Sequence, residues 1–282
     1  STLFPYTTLF RSQPLLTGTC HQEDLFFNMK LQRVLSTSAC NEAAVRSYLK
    51  DHTLALGMHL YYPDLFEQSY QYACSFPPET DVFITTSDEE RKRKLEEVFA
   101  DLPVRRVTIR VIGNRGRDVS ALLIGMREVM NYDCVCFFHD KKVMQVSPRS
   151  IGEGFAFTTA ENLLGNAKYV HNVIGLFRDE PHLGIAMPPP PNHGDYYFTM
   201  GTRWGMNWEI TLNLYRSLGL TVPISPEKMP IAPLGTCFWF RSKAMEQLFA
   251  YPWSYEDFPP EPNNTDGTVL HAIERKIGRA HV

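Results

Sequence analysis

Three things are scarce in this chain of 282 residues. Cysteine is the first: six are spread over the whole length, too thin for a disulfide scaffold. Cys134 and Cys136 sit inside an apolar run, like small core hydrophobes, which points to reduced thiols in a cytoplasmic protein. Long apolar stretches are the second. No run approaches the roughly 20 residues that cross a bilayer, so any membrane association is expected to be peripheral, at the inner face. An excess of one charge is the third. Lys plus Arg number 28 against 31 Asp plus Glu, a formal net charge of −3, which argues against the phosphate neutralisation that sequence-independent nucleic-acid binding relies on. What is present is ordinary for a globular protein: 44% hydrophobic and 21% charged residues, in a length that allows one large α/β domain or two small ones with a sizeable core.

The two ends read differently from the rest. TLFPYTTLFRS, from Thr2 to Ser12, and IGRAHV, from Ile277 to Val282, look like sequencing-adapter DNA translated into protein. A signal peptide is a poor description of the first, because Pro5 and Thr7-Thr8 interrupt its apolar stretch and no small-residue cleavage site follows. The genuine fragment is expected to run from about Gln13 to Lys276, with an upstream segment over 13–52, one domain over 53–276 and room for a longer parent protein.

From Leu54 onward, strand and helix patterns alternate. Leu54–Tyr61, Asp81–Thr86, Val104–Ile112 and Asp133–Phe138 are apolar or β-branched and read as strands. Asn41–Lys50, with Asn41 as cap, Asp64–Cys74, the stretch up to Leu102 behind a Ser87-to-Glu90 capping box, and Val119–Asn131 read as helices. The second half is less regular: a helix or two across Ala160–Asp179 broken at Gly165, short strands at Leu183–Met187 and Gly235–Phe240, and helices at Ile210–Leu218, Ser242–Ala250 and Thr268–Lys276. This order implies an α/β fold with a mostly parallel sheet covered on both faces.

Open parallel sheets bind ligands beyond the carboxyl ends of their strands. After the third strand comes Asn114-Arg115-Gly116-Arg117-Asp118, and after the fourth His139-Asp140-Lys141-Lys142. Four cations at one sheet edge suit an anion, and a diphosphate is the natural candidate. The alternative for the first turn is that Asp118 caps the next helix and the arginines are solvated. Tyr196, Tyr197, Phe198, Trp204 and Trp208 lie among glycines and read either as a sugar-stacking acceptor face or as a hydrophobic lid. Cys134 and Cys136, with no further Cys or His clustered beside them, are not a metal site.

These residues carry a family resemblance. The segments HLYYPD from His59, FITT from Phe83, NRGRD from Asn114, HDKK from His139, NLLG from Asn162, GTCFW from Gly235 and DGT from Asp266 followed by HAIER from His271 resemble, in order, the rhamnan synthesis protein F family. That family is similar to GT-A glycosyltransferases, single Rossmann-like domains that use a nucleotide-diphosphate sugar. The resemblance implies transfer of rhamnose or a related deoxysugar, with dTDP-rhamnose as donor and a lipid-linked or growing saccharide as acceptor, in cell-surface polysaccharide synthesis. A non-catalytic saccharide- or nucleotide-binding module is the alternative. Typical GT-A enzymes carry Asp-x-Asp after the fourth strand to hold Mg²⁺ or Mn²⁺. Here the triplet is His139-Asp140-Lys141, so the implied diphosphate site needs no metal cofactor, with Asp140 the one carboxylate left for a cation. Inverting transfer also needs a base, which the resemblance places at Asp266; the other reading of Asp266 is a helix cap. Trp204, Trp208 and His271 fall on the acceptor side.

Overall fold

The computed structural model describes residues 31–142, 147–191, 204–228, 230–262, 264 and 266–278. The expectations for residues 1–12 and for Tyr196, Tyr197 and Phe198 lie outside the described residues, as do residues 279–282.

Helix α1 (Glu42–Tyr48) starts where Asn41 accepts a hydrogen bond from the Ala44 amide. Strand β1 (Leu54–His59) follows, buried at every position. A 3-10 turn at Pro63–Leu65 leads into α2 (Phe66–Ala73). Strand β2 (Asp81–Thr86) is again wholly buried. Helix α3 (Glu89–Val98) is capped not by Ser87 but by Asp88, whose carboxylate accepts from the Arg91 amide; Ser87 instead donates to Asp88. The capping box expected at Ser87 does not form; the cap is the next residue, whose carboxylate is the stronger acceptor at a helix N-terminus. Strand β3 (Arg106–Val111) is the half-exposed edge of the sheet.

The helix expected over Val119–Asn131 is broken up. A single turn, α4 (Arg117–Ser120), passes into a π-turn at Ala121–Gly125 and a 3-10 turn at Arg127–Asn131. Strand β4 (Cys134–His139) comes next. The broken helix is two helices, α5 (Ser150–Glu161) and α6 (Ala167–Asp179), with Gly165 between them; α5 begins ten residues before the expected start. After β5 (Ile185–Ala186) come a 3-10 turn at Gly205–Asn207, α7 (Trp208–Ser217), β6 (Phe238–Arg241), α8 (Ser242–Ala250) and α9 (Val269–Ile277). Ile277 is fully buried at the end of α9.

Among the described residues the sheet has the order β3-β2-β1-β4-β6-β5. The first four strands are mutually parallel; β6 runs antiparallel to β4, and β5 antiparallel to β6. The chain builds outward from β1 to β2 and β3, then returns to the other side of β1 with β4. That reversal is the topological switch point, and the crevice where binding sites form opens beyond the carboxyl ends of β1 and β4. Side chains alternate across the strands. Leu54, Leu56, Met58, Cys136 and Phe138 pack on one face with α2, α3 and α6. Ala55, Val135, Phe137 and Phe238 pack on the other with the α4 region, α8 and α9.

Candidate active site at the sheet edge

The same alternation places the functional side chains. His59 ends β1 and His139 ends β4; the two are in register, and Thr85 of β2 is in register with His59. Both histidines fall on the face of α4 and α9. His59 is buried, its Nδ1 3.0 Å from Thr85 Oγ1, and burial pushes its pKa down to about 4. It is a neutral ring.

His139 is the opposite. Its Nδ1 lies 3.0 Å from the Asp140 carbonyl oxygen and its Nε2 lies 2.7 Å from the Gly235 carbonyl oxygen. Carbonyl oxygens only accept, so both ring nitrogens must donate, which makes the ring an imidazolium. Asp118 Oδ2 stands 3.9 Å from Nε2. Burial opposes the charge, but the Cys237 sulfur and the Asp118 carboxylate outweigh it and hold the pKa up at about 10. The Asp118 charge also favours protonation of His59 and His271, but in both burial is the larger effect.

Asp140 points to the other face, as the next residue in the alternation. It is nearly fully buried, and both of its oxygens accept from the Tyr61 amide, Oδ2 also from the Tyr62 amide at 2.7 Å. Burial raises it to about 6, against the lowering effect of those amides. Lys142 pairs with Asp64 and lies over the Tyr62 ring. Lys141 sits 4.2 Å above the Phe155 ring; among the described residues no carboxylate pairs with it. Beside them a cleft of about 320 Å³ opens, lined by Asp140, Lys141, Lys142, Arg149, Glu153 and Phe157 among others.

The Asn114–Asp118 turn does a different job from the lysines. Arg115 donates to the carbonyl oxygens of Phe258 and Glu256. Arg117 makes a two-pronged ion pair with Glu261 at 2.6 and 2.9 Å. Gly116 has φ +82, and a Cβ there would come within 2.8 Å of the Phe258 ring, so only glycine lets the turn seat against the 254–262 loop. Of the four cations expected to converge, three are engaged by protein acceptors: Arg115, Arg117 and Lys142.

Asp266 is held by Asn207, whose Nδ2 donates to Oδ1 at 2.6 Å. Burial works against its charge, but the Asn207 amide and the Gly267 N–H keep its pKa below the usual value. It is not the cap of α9: Thr268 occupies that position, and the Thr268 hydroxyl meets His271 Nδ1 at 2.9 Å. His271 is lowered, chiefly by burial. Trp204 is buried, its indole N–H donating to the carbonyls of Ser225 and Lys228, and it meets Trp208 edge-on. That is a packed side chain rather than an open sugar platform.

The family model for rhamnan synthesis protein F matches residues 21–281. The chain belongs to that family. Among curated proteins it is similar to "Uncharacterized protein WxcX" of Xanthomonas campestris pv. campestris strain B100, 26% identical over 227 residues that make up 79% of this chain and 30% of that protein. WxcX of strain ATCC 33913 matches with the same identity and coverage. The chain thus spans less than a third of the length of these relatives. Among solved structures it is similar to S. aureus TarS, with a TM-score of 0.38 and 9% sequence identity, over 79% of this chain and 33% of that one.

For a member of the rhamnan synthesis protein F family, the donor set at His139-Asp140-Lys141 does not fit a divalent cation. Both Asp140 oxygens are taken up by backbone amides, and the flanking groups are an imidazolium and an ammonium. Among the described residues no group of three or more His, Cys, Asp or Glu side chains comes together to hold a metal. Burial raises the thiols of Cys134, to about 12, and Cys136, which suits the core role expected of them. No helix among the described residues is long and apolar enough to cross a membrane.

Three polar side chains at this edge have partners that the sequence alone does not reveal. Asn207 and Glu274 act through partners 59 and 39 residues away. Glu261 neutralises Arg117 from 144 residues away. His59 falls inside the strand expected over Leu54–Tyr61 and ends it only in the structure, where β1 stops at His59.

Proposed function

We propose that this chain is the donor-binding and transfer part of a glycosyltransferase in cell-surface polysaccharide synthesis. It moves rhamnose or a related deoxysugar from a nucleotide-diphosphate donor, with dTDP-rhamnose the first candidate, to a saccharide acceptor at the cytoplasmic side of the membrane. Family membership supports the reaction class. The observation that supports the site is the cationic end of β4, where His139 is held as an imidazolium and Lys141 has no carboxylate partner among the described residues. His139 and Lys141 supply the charge, and Asp266 the base.

In this reading the donor diphosphate lies toward Lys141 and the His139 edge. The acceptor hydroxyl gives its proton to Asp266 as its oxygen bonds to the anomeric carbon. The bond from that carbon to the diphosphate oxygen breaks, and the departing negative charge is met by the fixed cations. Attack from the side opposite the leaving group inverts the anomeric centre. No divalent cation is needed, because the charge one would supply is already built into the protein.

The second reading, a binding module without catalysis, draws support from Arg115, Arg117 and Lys142, whose charges are already answered within the protein. Incubation of the purified chain with labelled dTDP-rhamnose and a rhamnan oligosaccharide separates the two. Labelled, elongated product in the presence of EDTA is expected; an intact donor that binds in calorimetry without transfer would favour the module.

A further inference from the structure

Asn207 is fully buried, yet its side-chain amide leaves nothing unsatisfied. Nδ2 donates to Asp266 Oδ1 at 2.6 Å and to the Trp204 carbonyl at 3.0 Å, and Oδ1 accepts from the Gly267 amide at 3.1 Å. Both donor hydrogens and the acceptor oxygen are therefore in use. The side chain is itself anchored: the Asn207 carbonyl accepts from Thr211 Oγ1 at 2.7 Å, which pins the start of α7. Opposite it, Gly205 has φ +54, and a Cβ there would come within 2.9 Å of Asp266 Oδ2. One oxygen is thus clamped, and the other faces a position where only hydrogen fits.

We propose that Asn207 is the positioning residue that orients Asp266 and keeps it ionised for proton transfer, an assignment that rests on the reading of Asp266 as the base. A buried neutral donor suits this role. It stabilises the carboxylate without forming an ion pair that would quench its basicity. The charged and titratable groups facing Asp266 are His271 and Arg275, both on α9; Asn207 approaches from the other side, on the turn before α7.

The test uses the full chain with ¹³C-labelled aspartate, the Asp266 signal being assigned by its absence in Asp266→Asn. In Asn207→Ser, loss of a charge-assisted hydrogen bond should raise the Asp266 titration midpoint by about one to two pH units. The acid limb of the kcat profile should rise with it, while the donor KM stays close to wild type. Asn207→Asp keeps the volume and the acceptor for Gly267, so it serves where the serine variant folds poorly, and it should raise the midpoint at least as far. An Asp266 midpoint unmoved in a folded variant overturns the Asn207 assignment. A midpoint that moves while the acid limb stays put overturns Asp266 as the base.

Discussion

Two carboxylates, Asp81 and Asp140, are almost equally buried, at 3% and 5% exposure, and they behave in opposite ways. Asp81 opens β2 at the amino ends of the parallel strands. It receives Arg105 through two bonds, Arg106 at 3.0 Å and the Tyr132 hydroxyl. Burial alone would raise its pKa; these donors overcome it and lower it. Asp140 follows β4 at the carboxyl ends and receives only backbone amides, so burial prevails. Neighbouring Asp133 shows the same economy as Asp81, accepting from both the amide and the hydroxyl of Thr53 and joining the starts of β4 and β1. One end of the sheet cancels its charges and holds strands together. The other, where Arg115, Arg117 and Lys142 are also answered, keeps some charge unpaired: an imidazolium at His139, a carboxylate at Asp140 raised by burial, and Lys141. Fold and chemistry are thus separated by about one strand length.

The sharpest way to break this division is at Asp266. Asp266→Asn removes the basic site but keeps the volume. It should lower turnover by about 10²–10⁴-fold with donor affinity and thermal midpoint near wild type; steady-state kinetics and calorimetry check it. Asp81→Ala should do the reverse. Its arginines are more than half exposed and return to water, so the expected cost is about 2–3 kcal/mol, a fall of roughly 4–12 °C in Tm, with donor affinity unchanged. A turnover defect larger than the loss of folded protein would dissolve the separation. Lys141→Ala should weaken donor binding about ten- to a hundredfold in calorimetry, with EDTA making no difference to the wild type. Strict Mn²⁺ dependence with unaltered affinity in the lysine variant would remove the cation assignment.

The remaining effect is on the pH dependence of stability, read by urea unfolding. Asp81 is lowered by folding, so its contribution is present above the ordinary carboxylate pKa and lost as pH falls. His139 is raised, so its contribution is complete below about pH 6.5 and is lost as pH rises toward about 10. Asp140 is raised as well, and its penalty, absent in acid, is in full force above about 6. Acid should therefore loosen the amino-terminal edge and alkali the carboxyl-terminal edge, each by no more than about 1.4 kcal/mol per pH unit for one proton. His139→Gln should flatten the alkaline limb and Asp81→Asn the acid limb.

Local patterns carried most of the fold. The stretches Leu54–Met58 and Cys134–Phe138 are continuous apolar runs of the kind a doubly covered sheet requires, and the Asn41 boundary follows cap chemistry. Helix α5 escaped because Gly152, Gly154 and the Thr158-Thr159 pair weaken the helical pattern that packing restores. At the site, topology was enough to bring His139, Asp140 and Lys141 to the crevice. It could not say which cations were already answered, since Glu261, Phe258 and Asp64 lie far away in sequence. Nor could it show that both nitrogens of His139 face carbonyls, a fact of three-dimensional register.

Gly235 ties these threads together. Its carbonyl receives His139 from β4, and its amide donates to Glu274 of α9 at 2.8 Å. One peptide unit on either side of a single glycine is thus gripped by the middle of the sheet and by the last helix at once. A chain trimmed before Val269 would keep all four parallel strands, yet it would lose the outer half of that grip. Interchange of this domain between longer proteins should accordingly be tolerated only at joints placed after α9, because the closing helix works as a keystone of the site and not as a tail.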